Sequence, residues 1–131
     1  MIYTRTTRHI KVTVAPTYLD EQSQPDESHF VWAYTIQLEN LGGETVQLLH
    51  RTWHITDARG VRQEVRGPGV IGQQPVLAPG EVFQYTSGAA LKTSSGIMVG
   101  TYDMVTDGGE EFLIDIPAFS LDSTEQRGRP N

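Results

Sequence analysis

Regular alternation of apolar and polar residues is the feature that most constrains this chain. Within residues 30–38 every second side chain is large and apolar, and residues 10–14, 83–85 and 112–116 repeat the pattern. A side-chain period of two is the period of a β-strand that has one buried face and one solvated face. No segment of useful length shows the 3.6-residue period of an amphipathic helix. The sequence therefore predicts an all-β protein.

Turn-forming residues separate the alternating segments and set the number of strands. Glycine and proline at 42–43, 60, 79–80 and 108–109 supply the backbone conformations that hairpin turns need. The predicted strands span residues 9–16, 30–40, 45–57, 61–66, 82–88, 97–106 and 111–121. About seven antiparallel strands predict an immunoglobulin-like or fibronectin type III-like β-sandwich, with an up-and-down barrel as the alternative.

The ends of the chain are expected to lie outside this domain. Residues 1–8 are predicted to form a flexible N-terminal arm, and residues 9–121 to form the sandwich. Residues 122–131 contain no apolar side chain that could dock on a core, so a disordered polar tail is expected there.

Composition limits the classes of partner and of chemistry. The 131 residues suit a single domain. Ten basic against 16 acidic residues give a net charge of −6, which weighs against binding to nucleic acid or to an anionic membrane. The absence of cysteine excludes disulfides, thiol nucleophiles and thiolate metal sites. No apolar run suggests a signal peptide or a membrane span, so cytoplasmic residence is expected.

A glycine-rich motif, G-x-G-x-x-G at Gly67, Gly69 and Gly72, resembles a phosphate-binding loop. Such loops bind phosphate when a helix begins within the motif and its N–H groups converge on the ligand. Pro68 removes one donor, and Pro75 prevents a helix from following. The context therefore favours a shaped loop over a nucleotide site.

The loop that carries this motif is the candidate binding site. Its assigned residues are Gly67, Gly69, Val70, Ile71, Gly72 and Gln73. The leading hypothesis is recognition of a protein partner, with Val70, Ile71 and Val76 exposed for contact. The alternative is a phosphorylated small molecule or nucleotide held by a nest of backbone N–H groups. The glycines could also serve solely as positions of positive φ in a strand crossover.

Other combinations of polar residues give no catalytic or metal site. Four residues of strand separate His50 from His54 by about 13 Å, so the two cannot share one zinc ion. The acidic segment 20–27 could hold a divalent cation weakly, but it lacks the spacing of a calcium loop. No G-x-S-x-G motif is present. We expect a non-enzymatic protein with no catalytic residue, no metal ligand and no cofactor.

Three residues are assigned structural roles. Arg51 has the same parity as Leu49 and Trp53, which places it on the buried face, where Glu64 of the next strand is a candidate ion-pair partner. Trp32 and Trp53 are expected to anchor the core from facing sheets.

Ordered motifs along the chain resemble those of the bacterial ApaG family, also called CorD. The main ones are Phe30-Val31-Trp32-Ala33-Tyr34, Arg51-Thr52-Trp53, the segment 67–75, Tyr85-Thr86-Ser87-Gly88 and Ile116-Pro117. The resemblance runs from about Val12 to Leu121. Thr52 departs from the family, which often has His or Tyr before the tryptophan.

The resemblance implies a fibronectin type III-like sandwich and identifies Gly67, Gly69 and Gly72 as the family's pyrophosphate-type motif. It also implies an association with cobalt resistance and magnesium efflux. Related domains in F-box proteins and in a DNA-polymerase-delta-interacting protein resemble protein-interaction modules. We therefore expect a monomeric or homodimeric binding module whose partner is a protein, and neither nucleic acid nor a membrane.

Overall fold

Nine β-strands make up almost all of the structure, a computed structural model that describes residues 1–123. They are β1 (Tyr3–Thr7), β2 (Ile10–Tyr18), β3 (Phe30–Asn40), β4 (Val46–Asp57), β5 (Arg62–Pro68), β6 (Val76–Leu77), β7 (Val82–Leu91), β8 (Ser95–Thr106) and β9 (Glu111–Asp122). Two short 3₁₀ turns, Asp20–Gln22 and Pro25–Glu27, occupy the acidic segment. Within this described part of the chain, no helix has the length and hydropathy that crossing a membrane would require.

The strands form two antiparallel sheets that pack face to face. One sheet has the order β1-β2-β3-β7, and the other has the order β5-β4-β8-β9, with β6 also pairing with β4. The predicted β-sandwich is thereby confirmed. Since β1 packs beside β9, the edges formed by β7 and by β5 and β6 lie on the opposite side of the sandwich.

The core lies between the sheets and follows the alternation of the sequence. Trp32 on β3 and Trp53 on β4 are 1% and 3% exposed, so both predicted anchors lie in the core on different sheets. The ring centroid of Trp53 lies 5.5 Å from that of Tyr34 and 5.8 Å from that of Phe119. Edge-on aromatic contacts of this kind add to the stabilisation that burial alone provides.

The N-terminal residues form a strand, contrary to the predicted flexible arm. β1 pairs with β2 along its whole length, and Tyr3 packs against Phe119 with centroids 6.1 Å apart. Arg5 forms an ion pair with Asp115 of β9 at 3.0 Å. These contacts come from residues far away in the sequence, so a local pattern did not reveal them. At the other end Asp122 still belongs to β9, and residues 124–131 of the predicted tail lie outside the described part.

A β-bulge in β4 changes which residues face the core. The pairing of β4 with β8 shifts between Leu48 and His50, so Leu49 has no partner on β8. Because a bulge inserts a single extra residue, the positions that face the core after it have the opposite parity to those before it. Leu48 is therefore fully buried and Leu49 only partly so, which contradicts the predicted inward position of Leu49.

Candidate functional site

The glycine segment, residues 67–75, connects β5 to β6 along one edge of β4. Gly67 and Pro68 are the last residues of β5 and pair with Arg51 and His50, so the loop begins later than the sequence predicts. After the segment, β6 pairs with Val46 and Gln47 of β4. The segment therefore bulges outward beside the irregular part of β4.

Hydrogen bonds hold the glycine segment against the bulge of β4. The carbonyl oxygen of Leu49 accepts the N–H of Gly69 at 2.8 Å and the side-chain amide of Gln74 at 3.0 Å. The N–H of Leu48 donates to the carbonyl oxygen of Pro75 at 3.0 Å. The polar groups that the bulge leaves unpaired in the sheet are thus bonded to the segment.

A tight turn forms the tip of the glycine segment. Val70 and Gln73 exchange two backbone hydrogen bonds, N–H to carbonyl, of 2.8 and 2.9 Å. The two residues between them, Ile71 and Gly72, have φ values of +41° and +79°. Positive φ at both central positions defines a type I′ turn, which normally carries Asn, Asp or Gly there. We call residues 70–73 the tip turn.

Close packing requires glycine at position 69 and leaves little space for a side chain at position 67. Gly69 has φ of +62°, and a Cβ atom there would overlap the carbonyl oxygen of Gln73. A Cβ atom on Gly67 would lie 3.1 Å from Nη1 of Arg51, whose side chain passes across this position. Gly72 has open space around it, so its positive φ is what favours glycine there. The motif therefore shapes the segment.

Arg51 is the cation that binds this segment from the inner face of the sheet. Its Nη1 donates to the carbonyl oxygens of Pro68 and Gly69 at 3.2 and 3.0 Å. The predicted ion pair with Glu64 is wrong, because Glu64 stands opposite His54 in the register. No carboxylate in residues 1–123 lies within ion-pair distance of Arg51. Backbone carbonyls thus compensate the half-buried charge.

A cluster of buried tyrosines lies beside Arg51. The hydroxyl oxygens of Tyr85 and Tyr102 are 2.6 Å apart. Burial raises the pKa of Tyr85 and of Tyr102 well above the ordinary value, and the nearby positive charge of Arg51 opposes the increase. Burial also raises the pKa of Tyr34, against the effects of a hydrogen bond with Ser87 and of Arg51. All three phenols are therefore neutral in the folded protein at physiological pH.

Exposure separates the predicted contact residues into two groups. Ile71 at the tip turn and Val76 on β6 are 53% and 57% exposed. Val70 is 1% exposed and packs in the core, so the expectation that its side chain is exposed for contact is wrong. The structure brings the rest of the predicted site residues into one segment, with Ile71 at its outer end.

The backbone of the segment offers few donors to a phosphate group. The N–H groups of Gly69, Val70 and Gln73 are all engaged within the protein. A nest that binds an anion requires successive N–H groups that converge on it and are otherwise unpaired. The segment also leads into a strand, β6, where a phosphate-binding loop would lead into a helix.

The histidines and the acidic segment do not assemble a metal centre. Nδ1 of His50 lies 3.7 Å from Oδ2 of Asp103, which also accepts a 2.9 Å hydrogen bond from Arg66. Nδ1 of His54 lies 3.3 Å from Nη2 of Arg62. Across residues 1–123, no three or more His, Asp or Glu side chains are grouped so that they could hold a metal ion.

Sequence reasoning missed the bulge and, with it, the true partners of Arg51. The adjacent apolar residues Leu48 and Leu49 interrupt the alternation and are the signal that could have indicated the bulge. Nothing in the sequence indicated that the carbonyl oxygens of Pro68 and Gly69, which follow the residue opposite Arg51, would bind the guanidinium.

Comparisons with known proteins agree with the resemblance noted in the sequence. The family model of the ApaG domain matches residues 20–106. Protein ApaG of Rhodospirillum centenum is 62% identical over 130 residues, which are 99% of this chain and 100% of that protein. Protein ApaG of Paramagnetospirillum magneticum is 59% identical over the same shares of both chains.

Solved structures show the same fold. A crystal structure of a Bordetella pertussis protein that carries the ApaA name has a TM-score of 0.84 and 48% identity, and covers 86% of this chain and 92% of that chain. A second X-ray structure, solved as a structural-genomics target, has a TM-score of 0.85 and 38% identity, and covers 97% and 96%. With its family model, its full-length relatives and its fold in agreement, this chain belongs to the ApaG domain family.

Proposed function

We propose that this protein is a non-enzymatic binding module that recognises a protein partner through the tip turn, with Ile71 as the central contact. The observation that carries the proposal is the conformation of Ile71. Its side chain is 53% exposed while its backbone has φ of +41°. A β-branched residue is a genuine outlier in this region, because its Cβ substituents crowd the neighbouring carbonyl oxygen.

The energetics favour a contact role for this side chain. The left-handed conformation costs an L-residue about 1–2 kcal/mol, and asparagine or glycine would fill the position at lower cost. An exposed apolar side chain at such a position contributes little to the core. Backbone strain of this kind is concentrated at functional sites, which agrees with binding at the tip turn.

The segment is also arranged before any partner binds. Its hydrogen bonds to Leu48, Leu49 and Arg51 fix the direction in which the tip turn points. A pre-organised contact loses little conformational entropy on association, so an apolar side chain of modest size can contribute usefully to affinity. Val76, exposed on β6 at the end of the same segment, would extend the contact.

The test compares three versions of the protein as bait for native lysate. Ile71→Asp places a charge at the proposed contact, and Val61→Asp makes the same change at a residue that is 61% exposed on a different loop. We expect a partner that the wild type and Val61→Asp retain and Ile71→Asp loses, with all three baits folded as judged by thermal melting. Identical retention by all three baits would contradict the proposal.

The alternative, a phosphorylated small molecule held by Gly67, Gly69 and Gly72, has its own test. Because the N–H groups of Gly69, Val70 and Gln73 are engaged, we expect no affinity for Mg-ATP or Mg-GTP tighter than about 10 μM. Calorimetric titration measures the affinity. Tighter binding, with NMR shift changes confined to residues 67–75, would establish the alternative in place of partner recognition.

A further inference from the structure

Within residues 1–123, no strand pairs with the outer edge of β7. The N–H of Asn40 donates to the carbonyl oxygen of Glu81 at 3.0 Å, which extends the β3–β7 ladder and fixes its phase. In an antiparallel ladder the residues that bond to the neighbour alternate with residues whose backbone groups point away. The residues of β7 that point away are Val82, Gln84, Thr86, Gly88 and Ala90. β7 is the terminal strand of its sheet, so these groups face outward.

The other sheet edges carry features that block strand addition. β1 packs beside β9, with Arg5 and Asp115 paired across them, so these two edges cover each other. The outward side chains of β5 are charged, and Pro68 ends the strand. Charged residues, proline and covering elements are the means by which proteins protect sheet edges. The ten residues of β7 include no Lys, Arg, Asp, Glu or Pro, and no other strand of residues 1–123 pairs with its outer side.

The sequence of β7 is complementary to itself in the antiparallel direction. Residues 82–85 carry larger side chains and residues 87–90 small ones, with Thr86 between them. Because the backbone groups of Thr86 point outward, Thr86 can pair with its own copy on a twofold axis. This axis places a small residue of one copy opposite each larger residue of the other. The opposed residues are Val82 with Ala90, Gln84 with Gly88, Phe83 with Ala89, Tyr85 with Ser87, and Thr86 with its own copy. Threonine pairs across strands are favourable, and no like charges meet.

We propose that β7 is the contact surface for a second copy of this chain, joined edge to edge in antiparallel register about a twofold axis at Thr86. The four-stranded sheets of the two copies then form one continuous sheet. Such an interface is isologous, so the same residues serve on both copies and the assembly closes as a dimer. This interface does not involve the tip turn and does not depend on the proposed function.

Sedimentation equilibrium tests the dimer with a matched pair of variants. Thr86→Lys places two ammonium groups opposite each other at the axis. Thr35→Lys removes the same 2.8 Å hydrogen bond between Thr35 and Thr86 and adds the same charge, but one strand away from the joint. We expect the wild type and Thr35→Lys to dimerise with micromolar affinity, and Thr86→Lys to weaken dimerisation at least tenfold. A wild type that stays monomeric up to about 1 mM would overturn the proposal.

A backbone variant and hydrogen exchange locate the interface. Gly88→Pro removes an outward N–H without adding charge, and proline is tolerated at a sheet edge that faces solvent. We expect this variant to weaken the dimer as well. In the wild type, exchange at the amides of Gln84, Thr86 and Gly88 should slow as protein concentration rises, while the β5 amides stay unchanged. Dimerisation without that added protection would overturn the β7 interface.

Discussion

The hydroxyl oxygens of Tyr85 and Tyr102 lie 2.6 Å apart between the two sheets, so a hydrogen bond links β7 of one sheet to β8 of the other. Both side chains are buried, at 5% and 0% exposure. Each hydroxyl therefore depends on the other for the hydrogen bond that water would otherwise provide. Together with Tyr34 they make the interior next to Arg51 polar.

Removing both members of this pair should cost less than the sum of removing each one alone. Tyr85→Phe or Tyr102→Phe leaves a buried hydroxyl unpaired, and each should lower the free energy of unfolding by about 1–3 kcal/mol. The double variant should be clearly less destabilised than the sum of the two single changes. Urea unfolding of all four proteins measures this coupling. Strictly additive losses would show that the two hydroxyls do not stabilise each other.

Alkaline pH should unfold the domain before its buried tyrosines ionise. Burial raises the pKa of Tyr34, Tyr85 and Tyr102 above the ordinary value of 10.0. When the pH exceeds this ordinary pKa, the folded state therefore keeps phenolic protons that the unfolded state loses. The free energy of unfolding keeps its full value at lower pH and decreases as the pH rises past that point. The loss should approach about 1.4 kcal/mol per pH unit for each group. Phenolate absorbance and circular dichroism followed together measure it, and ionisation of every tyrosine with the fold retained would contradict this prediction.

Gly69 and Gly72, the two glycines of the motif that have positive φ, should differ in their tolerance of a methyl group. Gly69→Ala would force a Cβ atom into the carbonyl oxygen of Gln73 at positive φ, and should destabilise the protein by about 3 kcal/mol. Gly72→Ala has the same sign of φ but open space, and should cost about 1 kcal/mol. Thermal or urea unfolding compares the two variants. Equal costs would mean that the tight contact at Gly69 relaxes freely.

Relieving the strain at Ile71 should stabilise the fold and weaken partner binding. Asparagine adopts positive φ readily, so Ile71→Asn should raise the free energy of unfolding by about 1 kcal/mol. The same change removes the apolar side chain from the tip turn and should reduce capture of the partner. Unfolding experiments and capture from lysate measure the two effects on one variant. A stabilised Ile71→Asn protein that binds its partner as before would separate the strain from the function.

Periodicity alone was sufficient to predict most of the architecture. The alternation in residues 30–40 predicted β3 at its observed limits, and the inward parity of Trp32 and Trp53 placed both rings in the core. These predictions succeed because a strand exposes its two faces in strict alternation and the hydrophobic effect buries the apolar one. The residues of the glycine motif were also identifiable, because glycine marks positions of unusual backbone geometry.

The tertiary structure decided what each part of that motif does. The bulge at Leu49 changes the parity within β4, so that Leu48 faces the core before it and Trp53 after it, and one strict period of two cannot fit both. β1 formed because β2 and β9 supply its partners, and Arg51 found carbonyl oxygens because Gly67 leaves room for its side chain. The alternation by itself determined which segments are strands and which sides are apolar, since those are local properties. The contacts that turn the glycine segment into a rigid, outward-pointing tip join residues distant in the chain, so only the packed sheets decided them.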